Sequence, residues 1–232
     1  GRDLPGRPDL ASLIEAVCHA VPEMRVRLGS LEPRTVTENF CARLAALPNL
    51  CPHFHLSLQS GSDTVLARMK RKYTTQRFLE SVRLLRAHFD RPALTTDLIV
   101  GFPGETEEEF QETLAFLQRC AFAQMHIFPY SRRQGTPAAS MPGQLSNAEK
   151  ASRARRGAEL AQAMERSWLT GWIGQTVPVL LEEEKDGFWR GHTPQYIEVR
   201  VKGEHLHNQL RPVTITAAGD SLAYGTVKEE QP

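Results

Sequence analysis

At 232 residues, with 41% hydrophobic and 24% charged side chains, the chain has an ordinary globular composition, long enough for one substantial core and a small second one. Its net charge of +1 supplies no global field for nucleic acid, but from Trp172 onward nine Asp/Glu face six Lys/Arg, which leaves −3 there and +4 before it. The four cysteines, Cys18, Cys41, Cys51 and Cys120, are scattered without short-range pairing, the pattern of buried thiols in a reducing, cytoplasmic setting and not of a disulfide scaffold; no apolar run approaches the ~20 residues that cross a bilayer.

The chain opens without a methionine, on a loop-like Gly1 to Gly6, and is expected to be the C-terminal piece of something longer. Leu10, Leu13, Ile14 and Val17 have helical spacing, with Asp9 as N-cap. Arg25 to Ser30 alternates charged and apolar residues, and Thr35 with Glu38 then caps a helix carrying Phe40, Leu44 and Leu47. His53 to Gln59 alternates more sharply and leads through Ser60-Gly61-Ser62-Asp63 into Val65, Leu66 and Met69, after which Thr74 or Thr75 opens a longer helix. Thr95 to Glu109 organises the whole: an apolar run, Leu98-Ile99-Val100, stops at Gly101, turns through Pro103 and Gly104, and enters a helix at Thr106, whose hydroxyl and Glu109 have capping-box spacing. Two glycines there let backbone approach a ligand, and the helix N–H groups point toward the same mouth; Glu107 to Glu109 read as first-turn acids complementing the helix dipole. Ala123 to Phe128 gives a fourth strand, ended by Pro129-Tyr130-Ser131.

Strands recurring every 30 to 40 residues, each followed by a helix, predict parallel βαβ units, as a barrel or an open sheet, with the active site at the strands' C-terminal ends. Ser30, Glu32, Gln59, Ser60, Gly101 to Glu105 and Tyr130 to Arg133 collect there: a cradle of small polar groups, carboxylates and backbone, without a nucleophile paired to a base. A long helix is predicted over Ser146 to Trp172, and five short strands follow, at Val177 to Leu181, Phe188-Trp189, Tyr196 to Val201, Val213 to Thr216 and Leu222 to Val227, the pattern of a small closed β-barrel. Three basic clusters, Lys70-Arg71-Lys72, Arg132-Arg133 and Lys150 to Arg156, read either as phosphate contacts or as solvated charge. His53 and His55 share a strand face but lack a third metal ligand at matching spacing. Phe188, Trp189 and Tyr196 read either as stacking platforms for single-stranded nucleic acid or as the small barrel's own core.

Three motifs together, His-Leu-Ser-Leu-Gln-Ser-Gly-Ser-Asp (55 to 63), Thr-Asp-Leu-Ile-Val-Gly-Phe-Pro-Gly-Glu-Thr (96 to 106) and Phe-Pro-Tyr-Ser-Arg-Arg-Gln-Gly-Thr-Pro-Ala (128 to 138), resemble the radical S-adenosylmethionine methylthiotransferases. The tail, with Gly191-His192-Thr193 and Glu198-Val199-Arg200-Val201, resembles that family's RNA-binding TRAM domain. The resemblance implies an α/β fold: residues 1–171 as the C-terminal part of a partial (βα)6 radical-SAM barrel lacking its first strands, and 172–232 as a TRAM-like small all-β barrel. Among the family's branches the sequence looks most like the enzymes that methylthiolate C2 of N6-threonylcarbamoyladenosine next to the anticodon of tRNA; relatives modify isopentenyladenosine in tRNA or a ribosomal protein.

Carried over to matching positions, Ser57 and Gln59 would face the ribose or methionyl part of S-adenosylmethionine, the backbone at Val100 and Gly101 would pass its adenine, Phe128 to Tyr130 would close over it, and Glu32 would contribute from the preceding strand. Arg132 and Arg133 would meet tRNA. The implied cofactors are S-adenosylmethionine and [4Fe-4S] clusters, but the Cys-x3-Cys-x2-Cys motif and the further three cysteines of the family's amino-terminal domain are absent, and no cysteine here has ligand spacing. The implied partners are therefore tRNA and a missing N-terminal cluster-binding part of the same polypeptide, with the fragment inactive alone. The competing readings are a cluster-free RNA-binding module derived from the family and a partial-barrel enzyme holding a phosphorylated metabolite at Gly101 to Gly104 and Arg132-Arg133.

Overall fold

The structure is a computed structural model that describes residues 4–228. Four parallel strands, β1 (Ser30–Leu31), β2 (His53–Gln59), β3 (Ala93–Val100) and β4 (Gln124–Pro129), form a sheet in sequence order. Helices α1 (Leu10–Ala20), α2 (Glu38–Ala45), α3 (Asp63–Arg68), α4 (Thr75–His88), α5 (Glu107–Cys120) and α6 (Asn147–Thr170) precede, connect or follow them. Their starts are written locally: Asp9, Thr37 and Thr74 each accept an N–H two or three residues into their helix, and Thr106/Glu109 and Ser146/Glu149 close full capping boxes. Two expectations shift. The second helix is capped by Thr37, because Pro33–Thr35 forms a 3-10 turn first. Within the predicted strand Arg25 to Ser30, Val26 makes only an isolated bridge to Leu50, and pairing with β2 begins at Ser30.

Alternation along the strands separates two faces. Phe54, Leu56, Leu58, Leu94, Leu98 and Val100 point into the main core with Phe78, Phe110, Leu117 and Phe122. The other face carries His55, Ser57, Gln59, Asp97 and Ile99, all half-buried, and exposed His126 and Phe128.

Beyond α6, β5 (Thr176–Lys185), β6 (Phe188–His192), β7 (Glu198–Val201), β8 (Gln209–Ala218) and β9 (Ala223–Val227) close a barrel in the order β5-β6-β7-β9-β8, antiparallel except for the β7–β9 pair. Its core holds Val179, Leu181, Trp189, Val199, Val201, Val213 and Ile215, and the end of α6 contributes Leu169 and Trp172 to it. Trp189 is thus core, its indole N–H donating to the Gly203 carbonyl, while Tyr196 is exposed. Among the described residues no helix is long and apolar enough to cross a membrane.

Candidate functional site

Parallel register stacks the polar face in levels. Thr95 lies beside Gln124, Asp97 beside His126, and Ile99 beside Phe128. On β2 the register slips between Leu56 and Gln59, and Gln59 takes a left-handed conformation (φ 69°), which turns the chain at the strand's end. A cavity of about 520 Å³ opens where the strands end, walled by Gln59, Asp97, Ile99, Phe128, Tyr130 and Arg133. A second, of about 310 Å³, lies on the far side of Ile99 and Tyr130, between Arg68–Arg71 and the segment 136–141. The Tyr130 ring meets Phe102 edge-on at 5.4 Å, and its hydroxyl is buried without a partner.

The loop that follows β3 is held by the chain itself. The Gly101 N–H donates to Glu105 Oε2 at 2.6 Å, and the same carboxylate takes a 2.6 Å bond from Arg153 Nη1 on α6; the Glu105 and Arg153 side chains are 1% and 8% exposed. Burial pushes the Glu105 carboxyl up, against the pull of those two donors. Gly101 has φ +71°, and a Cβ there would stand 2.4 Å from Lys150 Cγ; the Gly104 N–H donates to the Gly143 carbonyl at 2.8 Å. The helix N-terminus is closed by the Thr106/Glu109 capping box. The close approach these glycines permit is therefore between parts of the chain, and the Gly101 and Gly104 N–H groups are not left for a ligand.

Of the residues singled out from sequence, Gln59, Phe128, Tyr130 and Arg133 come together around the larger cavity. Ser57 is on the same face, one level deeper. Val100 and Gly101 line neither cavity; the Val100 carbonyl accepts the Tyr130 N–H at 2.8 Å. Glu32 stands apart on the surface, paired with Arg34 at 2.7 Å. Arg132 does not line the larger cavity; its Nε donates to the Ala139 carbonyl at 2.6 Å. The basic clusters divide as well. Arg153 and Arg156 of α6 are paired with Glu105 and Glu107, whereas Lys70, Arg71 and Lys72 make no ion pair among the described residues. Missed in sequence were Asp97 and Ile99 as cavity walls and Arg71 as a cation on the smaller cavity; a polar residue alternating with Ile99 in an otherwise apolar strand was the available signal.

His53 and His55 are not a ligand pair. His53 is buried, which with nearby Arg27 pushes its pKa down to about 4, while His55 hydrogen-bonds Thr95 and stands 3.3 Å from Asp97. Among the described residues no three His, Cys, Asp or Glu groups converge as a metal site, and all four cysteines are buried, with burial raising Cys41 to about 11 and Cys120 to about 12.

Residues 1–117 match the Radical SAM superfamily. The tRNA-2-methylthio-N(6)-dimethylallyladenosine synthase of Chloroflexus aurantiacus is 39% identical over 222 residues, covering 94% of this chain and 48% of that protein. The threonylcarbamoyladenosine tRNA methylthiotransferase MtaB of Bacillus subtilis is 36% identical over 201 residues, covering 84% and 45%. The chain thus spans about half the length of the curated relatives it matches. In fold it is similar to the coproporphyrinogen III oxidase HemN of Escherichia coli, with a TM-score of 0.56 at 16% identity over 69% of this chain and 38% of that one. With half its length matched by the family and its parallel strands ending in a shared cavity, the chain belongs to the radical SAM superfamily.

Proposed function

We propose that this chain is the cofactor-cradling and RNA-binding part of a cytoplasmic tRNA methylthiotransferase, one that modifies C2 of N6-threonylcarbamoyladenosine next to the anticodon. The observation that carries the reading is the cavity where Gln59, Asp97, Phe128, Tyr130 and Arg133 meet at the strand ends, in a chain whose relatives are named for tRNA methylthiolation. Overall likeness of the sequence to the threonylcarbamoyladenosine branch favours that substrate over isopentenyladenosine.

S-adenosylmethionine fits these residues. It is a flat base, a ribose and a zwitterionic tail, and two adjoining cavities offer apolar walls, an amide, a buried hydroxyl in need of a partner, and a cation. Gln59 hydrogen-bonds the ribose or methionyl part, Ile99, Phe102 and Tyr130 hold the adenosyl group, and Arg71, uncommitted to any carboxylate of the described residues, pairs with the methionyl carboxylate. When bound, this cofactor supplies the radical that abstracts hydrogen from the base. An iron–sulfur cluster does not fit the cysteines here, which are buried and apart, so its ligands are assigned to the part of the protein outside this chain. The chain's own share is to bind, orient and exclude water.

The reading is tested by expressing the full-length protein in a host lacking its own tRNA methylthiolation and analysing tRNA nucleosides by mass spectrometry. The expected product is 2-methylthio-N6-threonylcarbamoyladenosine, lost in Gln59→Ala. The methylthiolated isopentenyl nucleoside would move the protein to the other branch, and neither nucleoside would overturn the assignment.

A further inference from the structure

Along β3 the polar face descends from Ile99 at the strand's end to Asp97 and then Thr95, two residues per level. The cofactor residues named above occupy the upper level, Gln59, Ile99, Phe128 and Tyr130. The level below is built differently. His55 Nδ1 hydrogen-bonds Thr95 Oγ1 at 3.0 Å, which orients the imidazole so that Nε2 stands 3.3 Å from Asp97 Oδ2, beside the carboxylate. Thr95 is buried, the His55 side chain is 16% exposed and Asp97 32%. Asp97 Oδ1 has no protein donor among the described residues and the residue lines the cavity, with exposed His126 next to it in register.

We propose that Asp97, beside the His55 imidazole that Thr95 orients, is the specificity-determining acceptor that reads the N6–H of an adenine drawn from RNA into the lower level of this cavity. The proposal rests on the RNA substrate proposed above. Hydrogen abstraction requires cofactor and base in contact, which places the base directly beneath the cofactor level, at Asp97 and His126. A carboxylate there accepts from an exocyclic amine and rejects bases that present an acceptor at that edge; Phe128, 51% exposed above it, and His126 offer planar surfaces for an unstacked base. N6-monosubstituted adenines keep the N6–H, so the same acceptor serves the modified nucleoside.

The test uses the full chain and two RNA hairpins of anticodon stem-loop size, identical except that the loop base is adenosine in one and N6,N6-dimethyladenosine in the other. Fluorescence anisotropy should show wild-type protein preferring the adenosine hairpin by about tenfold or more. Asp97→Ala, which removes the acceptor, should abolish the preference and leave the slope of affinity against salt unchanged, since phosphate contacts are untouched. Equal binding of both hairpins by the wild type, or a preference kept in Asp97→Ala, would overturn the role of Asp97 and leave the RNA reading standing. Binding of neither hairpin would overturn the RNA reading and this proposal with it. The wild-type comparison needs no variant, so it decides the matter even if the substitution disturbs folding.

Discussion

Glu109 shows how single residues fix the rim of the site. Its carboxylate accepts from Thr64 Oγ1 (2.5 Å), both terminal nitrogens of Arg68 (2.9 and 2.5 Å) and the Thr106 N–H (2.9 Å). The Arg68 bonds lead in pulling its pKa down to about 2. A carboxylate depressed in the fold contributes stability that is fully present above its unfolded pKa, ordinarily near 4.5, and is lost as pH falls toward 2. Arg68 is one-third exposed, so the contribution is discounted to about 2 kcal/mol. Glu109→Gln is accordingly expected to cost about that much in urea denaturation at pH 7, with the gap to wild type shrinking toward pH 2. An equal gap at both pH values would show that capping geometry, not charge, carries the contribution. The pair also anchors the end of α3, from which Lys70 and Arg71 reach the smaller cavity. Glu105 is the more buried case, and its replacement would strand Arg153 without a counter-charge.

At the scale of elements, two glycines in regular structure are used in opposite ways. Gly157 on α6 faces β4, where an added Cβ would meet Ile127 Cδ1 at 3.1 Å, the movable end of a side chain. Gly191 on β6 crosses β5 so closely that a Cβ would lie 2.0 Å from the Leu180 carbonyl oxygen, which is fixed backbone. Gly157→Ala is therefore expected to be neutral or to stabilise by up to about 1 kcal/mol through helix propensity. Gly191→Ala should destabilise by more than about 2 kcal/mol by prising apart the β5–β6 pairing. Thermal unfolding of both variants checks the contrast, and comparable midpoints would refute it. Here the sequence was legible to different depths. Most helix starts and eight of the nine strand positions follow from capping residues and from periods of two and 3.6, because those signals are local. The edge of the sheet was overdrawn: alternation in Arg25 to Ser30 says which side chains share a face, not whether a partner strand lies opposite. Gly101 and Gly104 looked open to a ligand because nothing nearby in sequence announces that Lys150 and Gly143 fill the space beside them. Asp97 was visible only as a residue just inside a strand, since the histidine beside it comes 42 residues earlier.

Across the whole molecule, the two cores are joined by a stack centred on Tyr196, a residue with φ 66° just before β7. The Arg27 guanidinium carbon lies 3.8 Å from its ring centroid, His192 stacks parallel to it at 4.5 Å, and His53 meets it edge-on at 5.6 Å. Arg25 adds bonds to the His192 and Pro178 carbonyls at 2.9 and 3.0 Å, and Arg91 covers Trp172 at 3.8 Å. Tyr196 thus gathers groups from the start of the chain, from β2 and from the small barrel, and the joint holds that barrel against the N-terminal ends of the sheet strands, opposite the strand-end cavity. Removing its centre should free the two parts without unfolding either, because each retains its own core. Tyr196→Ala is expected to raise the radius of gyration in small-angle X-ray scattering and to split thermal unfolding into two steps. A wild-type radius with a single transition would show that α6 and Arg91 suffice to hold the parts together. Acid should loosen the same joint in the unmodified protein. His53, depressed to about 4, favours the fold while neutral, and that contribution is lost as pH falls from its ordinary 6.5 toward 4, when a proton must enter a buried ring beside Arg27. The radius of wild-type protein should therefore approach that of Tyr196→Ala below pH 5, and His53→Phe, which keeps an aromatic edge against Tyr196 and cannot be protonated, should hold the compact value there.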